Sequence, residues 1–146
     1  MTTMIRLLDT SAWLAYFFEV GKANRQVLQL VESEETLLTA AVTFLEFKRK
    51  LLKRNATKED IERAIEFIKH RSLVISIDAS ISEKAAVISF ENNLGAIDAL
   101  IYTSAETNNA TLVTCDSDFK HQHKLSKLVS ESSPAGDAHL PNVELL

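Results

Sequence analysis

Two acidic residues stand directly behind short apolar runs: Asp9 follows IRLL, and Asp116 follows TLVTC. If those runs are strands of an open α/β sheet, both acids fall outside the carboxyl ends, where such sheets gather their functional groups. Side by side, two carboxylates repel unless one is protonated or a cation bridges them. Mg²⁺ or Mn²⁺ suits that position, because a hard cation takes a few carboxylates and completes its shell with water and substrate phosphate.

Each acid also has an ordinary reading. Asp9 precedes Thr10, Ser11 and an apolar segment, which makes it a good helix N-cap. Asp116 and Asp118 suit a turn. Asp98, in GAIDALI, suits the first turn of a helix, where acids face the positive end of the dipole. Glu46 stands three residues before Arg49 and four before Lys50, the spacing of a surface ion pair. Taken singly, none of these positions needs more than its ordinary role; their joint arrangement shifts the balance.

The elements that must position them alternate in type. IRLL (5–8), Leu37–Thr39, LVISI (73–77), Leu112–Cys115 and Val143–Leu145 read as short strands, the first of them buried. Helices are expected over Ser11–Phe18, Ala23–Glu34, Ala41–Lys53, Thr57 to about Arg71, Ser80 to Glu91 and Ile97–Glu106. Thr57 with the acids that follow is a helix-start signature, and Lys69, His70 and Arg71 suit that helix's negative end. Ser80 through Glu83 is a second such start, and Gly95 marks a break. Apolar strands alternating with amphipathic helices predict an α/β fold with a parallel sheet covered on both faces.

The chain has 146 residues, enough for one domain spanning 1–146 with a real core. Three glycines and two prolines argue against a loop-rich chain. The Pro/Gly/Ser-rich stretch Ser130–Pro141 reads as an exposed loop. The single cysteine, Cys115, excludes an internal disulfide, suits a reducing compartment and reads as a buried, inert thiol. No leader peptide or membrane-length apolar run is evident, so a cytoplasmic protein is expected. Sixteen basic against twenty acidic residues leave a net charge of −4, so there is no global basic footprint for nucleic acid.

Four segments together resemble the PIN-domain nucleases, and within them the VapC-like toxins of toxin–antitoxin pairs. They are LLDTSAWLAYF, TAAVTFLEFKRKL, GAIDALIYTSAE and ATLVTCDSDF, in the family's order from Leu7 to Phe119. The resemblance implies a three-layer α/β/α fold with a central parallel sheet. It also implies a cluster of acids that binds Mg²⁺ or Mn²⁺ for RNA phosphodiester hydrolysis. Carried over by position, that cluster is Asp9, Glu46, Asp98 and Asp116, with Asp118 at a more variable acidic place. Thr10 and Ser11 match hydroxyl positions that steady the first acid and its surroundings, leaving any capping role to them. Ala12-Trp13 departs from the small aliphatic residues commoner there.

Such a site asks little else of the chain, because metal ions activate the water, organise in-line attack and assist the leaving oxygen. With the four acids set aside the remaining charge is about neutral, which softens the objection to a nucleic-acid partner. Lys48, Arg49, Lys50, Lys53 and Arg54 form the densest basic stretch. Arg49, Lys50 and Lys53 are candidates for the RNA backbone, against an equally ordinary solvated face. His121 and His123 have no cysteine or third histidine nearby and read as solvated side chains. Trp13, Tyr16, Phe17 and Phe18 are denser than one buried stripe needs. In the family such helices help form a homodimer and receive the tail of a cognate antitoxin. Two alternatives stand beside the nuclease: a catalytically silent PIN domain that binds RNA or regulates, and a receiver-type domain. The latter wants an acidic pair after the first strand, which DTS does not supply.

Overall fold

Most strands are brief, largely apolar runs that end where a helix cap or turn begins. A computed structural model of the chain describes residues 4–19, 21–116 and 143–146. In order these form β1 (Ile5–Leu8), α1 (Thr10–Phe18), α2 (Lys22–Glu32), β2 (Thr36–Ala40), α3 (Thr43–Lys53) and α4 (Lys58–Arg71). There follow β3 (Leu73–Ile75), α5 (Ala79–Asn92), α6 (Ala96–Thr107), β4 (Thr111–Thr114) and β5 (Val143–Leu145). The sheet order is β3-β2-β1-β4-β5, and every pairing is parallel.

Side-chain alternation along the strands divides the core in two. Leu8, Leu37 and Val113 join a cluster with Trp13, Val27, Phe47, Leu51, Ile61 and Ile68, from α1 to α4. Leu7, Leu38 and Leu112 face the other way, joining Ala85 of α5 and Ala99, Ile101, Tyr102 and Ala105 of α6. The result is the expected three-layer α/β/α arrangement with a parallel sheet between the helices.

Three polar devices hold the first helical layer. Thr57 caps α4 by accepting from Asp60 N at 3.1 Å, as its sequence signature indicates. Trp13 Nε1 donates to Thr39 Oγ1 at 3.1 Å, Thr39 lies 2.7 Å from Ser72 Oγ, and Ser72 donates to Ile68 O at 2.7 Å. That buried chain links α1, β2 and α4. Arg71 does more than suit its own helix: it donates to the carbonyls of Val31, Leu30, Ser33 and Glu35 at 2.7–3.2 Å. Its guanidinium thereby satisfies the exposed carbonyl end of α2 and the turn after it.

Most boundaries differ from the sequence expectation by one or two residues, and two of the differences share a cause. β3 ends at Ile75 instead of Ile77, and α5 is capped by Asp78 instead of opening at Ser80. The causes are linked, because Asp78 accepts from Ile81 N at 2.9 Å and so starts the helix earlier than the serine would. Trp13 is fully buried, so its density with neighbouring aromatics is core packing, whereas Phe18 remains about half exposed. Among the described residues no helix is long and apolar enough to cross a membrane. Asp118, His121, His123 and the 130–141 stretch lie outside the described residues.

Candidate metal and active site

β1 and β4 are neighbours with Leu8 opposite Val113, so the chain leaves both strands at the same level. Asp9 and Thr114 therefore meet, and Asp116 follows two residues later. Asp9 N donates back to Val113 O at 3.2 Å, fixing the acid's backbone at the end of the seam.

Asp9 is 3% exposed, and its carboxylate accepts three hydrogen bonds. Oδ1 accepts from Ser11 Oγ at 2.7 Å and from Ala12 N at 2.9 Å. Oδ2 accepts from Thr114 Oγ1 at 2.5 Å. The bond from Ala12 N makes Asp9 itself the N-cap of α1, a role the sequence reading had left to Thr10 or Ser11. The physical reason is that Asp9 keeps extended backbone just before the first turn, while Thr10 and Ser11 are already helical.

The hydroxyls around it form a relay between the two strand ends. Thr114 Oγ1 accepts from Asp116 N at 2.9 Å while donating to Asp9. Ser11 Oγ accepts from Cys115 N at 2.8 Å while donating to the same carboxylate. Ser11 thus steadies the first acid as the resemblance implies. Thr10 does something else: its hydroxyl donates to Glu46 Oε1 at 2.8 Å, tying the start of α1 to the first turn of α3. Glu46 takes that bond, and among the described residues it forms no ion pair with Arg49 or Lys50.

Asp98 lies in the first turn of α6, three residues after Gly95 at the N-cap position. Its Oδ2 is 3.9 Å from where a β-carbon would sit on Gly95, so the carboxylate lies close to its own helix start. Because α6 runs into β4, that start belongs to the carboxyl edge of the sheet, as does the start of α3 after β2. Topology therefore brings Asp9, Glu46, Asp98 and Asp116 to one edge. Two of them, Asp9 and Asp116, interact electrostatically, and Glu46 is bonded to the same helix start. Among the described residues, no three or more of His, Cys, Asp and Glu are gathered tightly enough to hold a metal ion.

Burial pushes the Asp9 carboxyl above its ordinary value, the three donors pull it down, and the Asp116 charge raises it further. A buried acid facing a second acid is a site that a cation relieves. The donor set is all oxygen and suits a hard ion, and Mg²⁺ needs only one or two carboxylates when water and phosphate fill the rest. The Asp9–Asp116 pair fits that requirement. Cys115, between the two strands' last acids, has its thiol pushed up to about 11 by burial and by the carboxylates of Asp9 and Glu19. It is inert as a nucleophile at neutral pH.

The residue the sequence did not single out is Thr114. Its signal was a hydroxyl on the last residue of an apolar strand, two positions before an acid; its partner could be known only from the β1–β4 register.

The PIN domain family model matches residues 6–125. No curated protein sequence matches the chain at a significant level. Among solved structures the chain is similar to a toxin–antitoxin complex from Klebsiella pneumoniae, at 22% identity and TM-score 0.63, covering 79% of this chain and 90% of that one. It is also similar to VapBC2 from Rickettsia felis bound to a promoter DNA fragment, at 22% identity and TM-score 0.65, covering 81% and 92%. A third is VapC20 from Mycobacterium tuberculosis, a toxin that cleaves the sarcin–ricin loop, at 17% identity and TM-score 0.67, covering 81% and 94%. At those identities the likeness is one of fold.

Proposed function

The chain belongs to the PIN-domain family, and from that premise we propose that it is an endoribonuclease, the toxin of a toxin–antitoxin pair, hydrolysing RNA phosphodiester bonds with Mg²⁺ or Mn²⁺. The observation that carries this reading is the Asp9–Thr114–Asp116 arrangement: two acids at adjacent strand ends, the first one buried and held by three donors. Likeness to the folds of known toxins, one of them a cleaver of the sarcin–ricin loop, supports the choice of substrate class. We further assign the protein to the cytoplasm, as a homodimer restrained by a cognate antitoxin.

In this reading Asp9 and Asp116 would hold the ion, with Glu46 and Asp98 completing the acidic edge. The ion would supply charge neutralisation at the scissile phosphate and a readily ionised water. The chain's own work is positioning. Three donors fix Asp9 so that it does not reorganise when substrate arrives. Thr10 holds one oxygen of Glu46 and leaves the other for water or ligand. The exposed cations Arg49, Lys50 and Lys53 contribute sequence-independent attraction for the RNA backbone.

A silent PIN domain that only binds RNA is the second reading. Incubating the purified protein with structured RNA separates the two. Cleavage in Mn²⁺ or Mg²⁺ that stops with EDTA supports the nuclease; stable binding without cleavage in either ion supports the silent domain.

A further inference from the structure

Resting on the ribonuclease reading, we propose that the groove where α1 ends against α4 is a stacking platform for an unpaired RNA base, with Phe18 as its principal ring. The groove encloses about 370 Å³ and is lined by Phe17, Phe18, Ala56, Ala64 and Phe67, with Asp60 and Arg63 at its rim. Phe18 is 48% exposed and Phe67 37% exposed, so two phenyl rings reach solvent beside one groove. The rings are braced from behind: Phe67 stacks on Tyr16 with centroids 5.3 Å apart and meets Phe17 edge-on at 5.8 Å. The one rim carboxylate is neutralised, since Asp60 pairs with Arg63 at 2.8 Å.

Charge complementarity selects the occupant. On α3, Glu46, Arg49, Lys50, Lys53 and Arg54 fall at i, i+3, i+4, i+7 and i+8, which is one helical face. The four cations are exposed and, among the described residues, none is in an ion pair. The stripe begins at an acid of the candidate site and ends at Arg54, whose guanidinium lies 5.6 Å from the centroid of Phe18. A protein segment would use both groove and stripe only where acidic side chains happen to follow its apolar ones at the right spacing. A single strand of RNA uses both, its phosphates meeting the cations and its base covering an aromatic face.

The spacing is consistent with one continuous substrate. α1 begins beside Asp9 and runs nine residues to Phe18, about 13 Å at the helical rise. Stacked nucleotides advance about 3.4 Å each, which puts the platform about four nucleotides from the acids.

The test is the affinity of the wild-type protein, in EDTA, for a short fluorescein-labelled single-stranded oligouridylate, read by anisotropy beside Phe18→Leu and Phe18→Trp. Leucine keeps the apolar bulk and removes the π face; tryptophan keeps both. The proposal expects about tenfold weaker binding for the leucine variant, full or improved binding for tryptophan, and matching thermal midpoints. Equal affinities for Phe18 and leucine overturn it and leave the groove as an apolar protein-docking surface. RNA cleavage by the wild type in Mn²⁺, measured separately, shows which has failed: equal affinities with cleavage intact overturn the platform alone, whereas no cleavage overturns the ribonuclease reading beneath it.

Discussion

Thr114 Oγ1 donates to Asp9 Oδ2 at 2.5 Å, joining the ends of β4 and β1 across their shared seam. The same hydroxyl accepts from Asp116 N, so one side chain holds both acids of the candidate metal pair in register.

Replacing that hydroxyl is the first expectation. Thr114→Val preserves shape and removes a hydrogen bond to a buried carboxylate, a loss of about 1.5–3 kcal/mol in urea unfolding. Metal-dependent cleavage should fall with it. Thr114→Ser should restore most of both, and a valine variant as stable and active as wild type would show that the bond is idle.

The Thr10–Glu46 bond gives a second. Thr10→Val should leave the fold standing but free Glu46 to swing, lowering kcat more than it raises KM in an RNA cleavage assay. An unchanged kcat would remove Glu46 from the working edge.

Arg71 gives a stability prediction unconnected to the site. The carbonyls of Val31, Ser33 and Glu35 lose the guanidinium in Arg71→Met, while Leu30 O keeps its bonds from Ser33, for a loss of about 2–4 kcal/mol. Lysine, with one point charge instead of a planar fork, should recover little of it. Chemical denaturation of the three proteins measures this.

Tyr102 governs behaviour at high pH. Burial, with a contribution from the Glu106 carboxylate, raises its phenol from 10.0 to about 12. The folded value lies above the unfolded one, so the neutral phenol's contribution is full below pH 10 and is lost as pH rises towards 12. Tyr102→Phe should therefore flatten the fall in stability across that interval. A titration curve identical to wild type would contradict the assignment.

Much of this architecture was legible in the residues. IRLL and TLVTC announced strands because each is a short, largely apolar run that ends at an acid, and Asp9 and Asp116 stood where the runs stopped. Thr57 declared its helix by local chemistry alone. What escaped was whatever depended on partners far along the chain. The role of Thr114 requires the β1–β4 register, and that of Arg71 requires α2 to end beside α4. Thr10 looked like a support for its neighbour Asp9, yet its hydroxyl reaches Glu46, thirty-six positions away. Asp9 was set against capping as if the two roles competed, but one carboxylate oxygen caps α1 while the other faces the strand seam.

The most direct test of the account is cleavage of structured RNA in Mn²⁺ by wild type and Asp9→Asn side by side. Asparagine can accept from Ser11 and Ala12 and still contact Thr114, so the variant should melt near the wild-type temperature. The account predicts that it melts so and leaves the RNA intact while wild type cuts it. Equal cleavage by two equally folded proteins would contradict Asp9 as the first metal-binding acid.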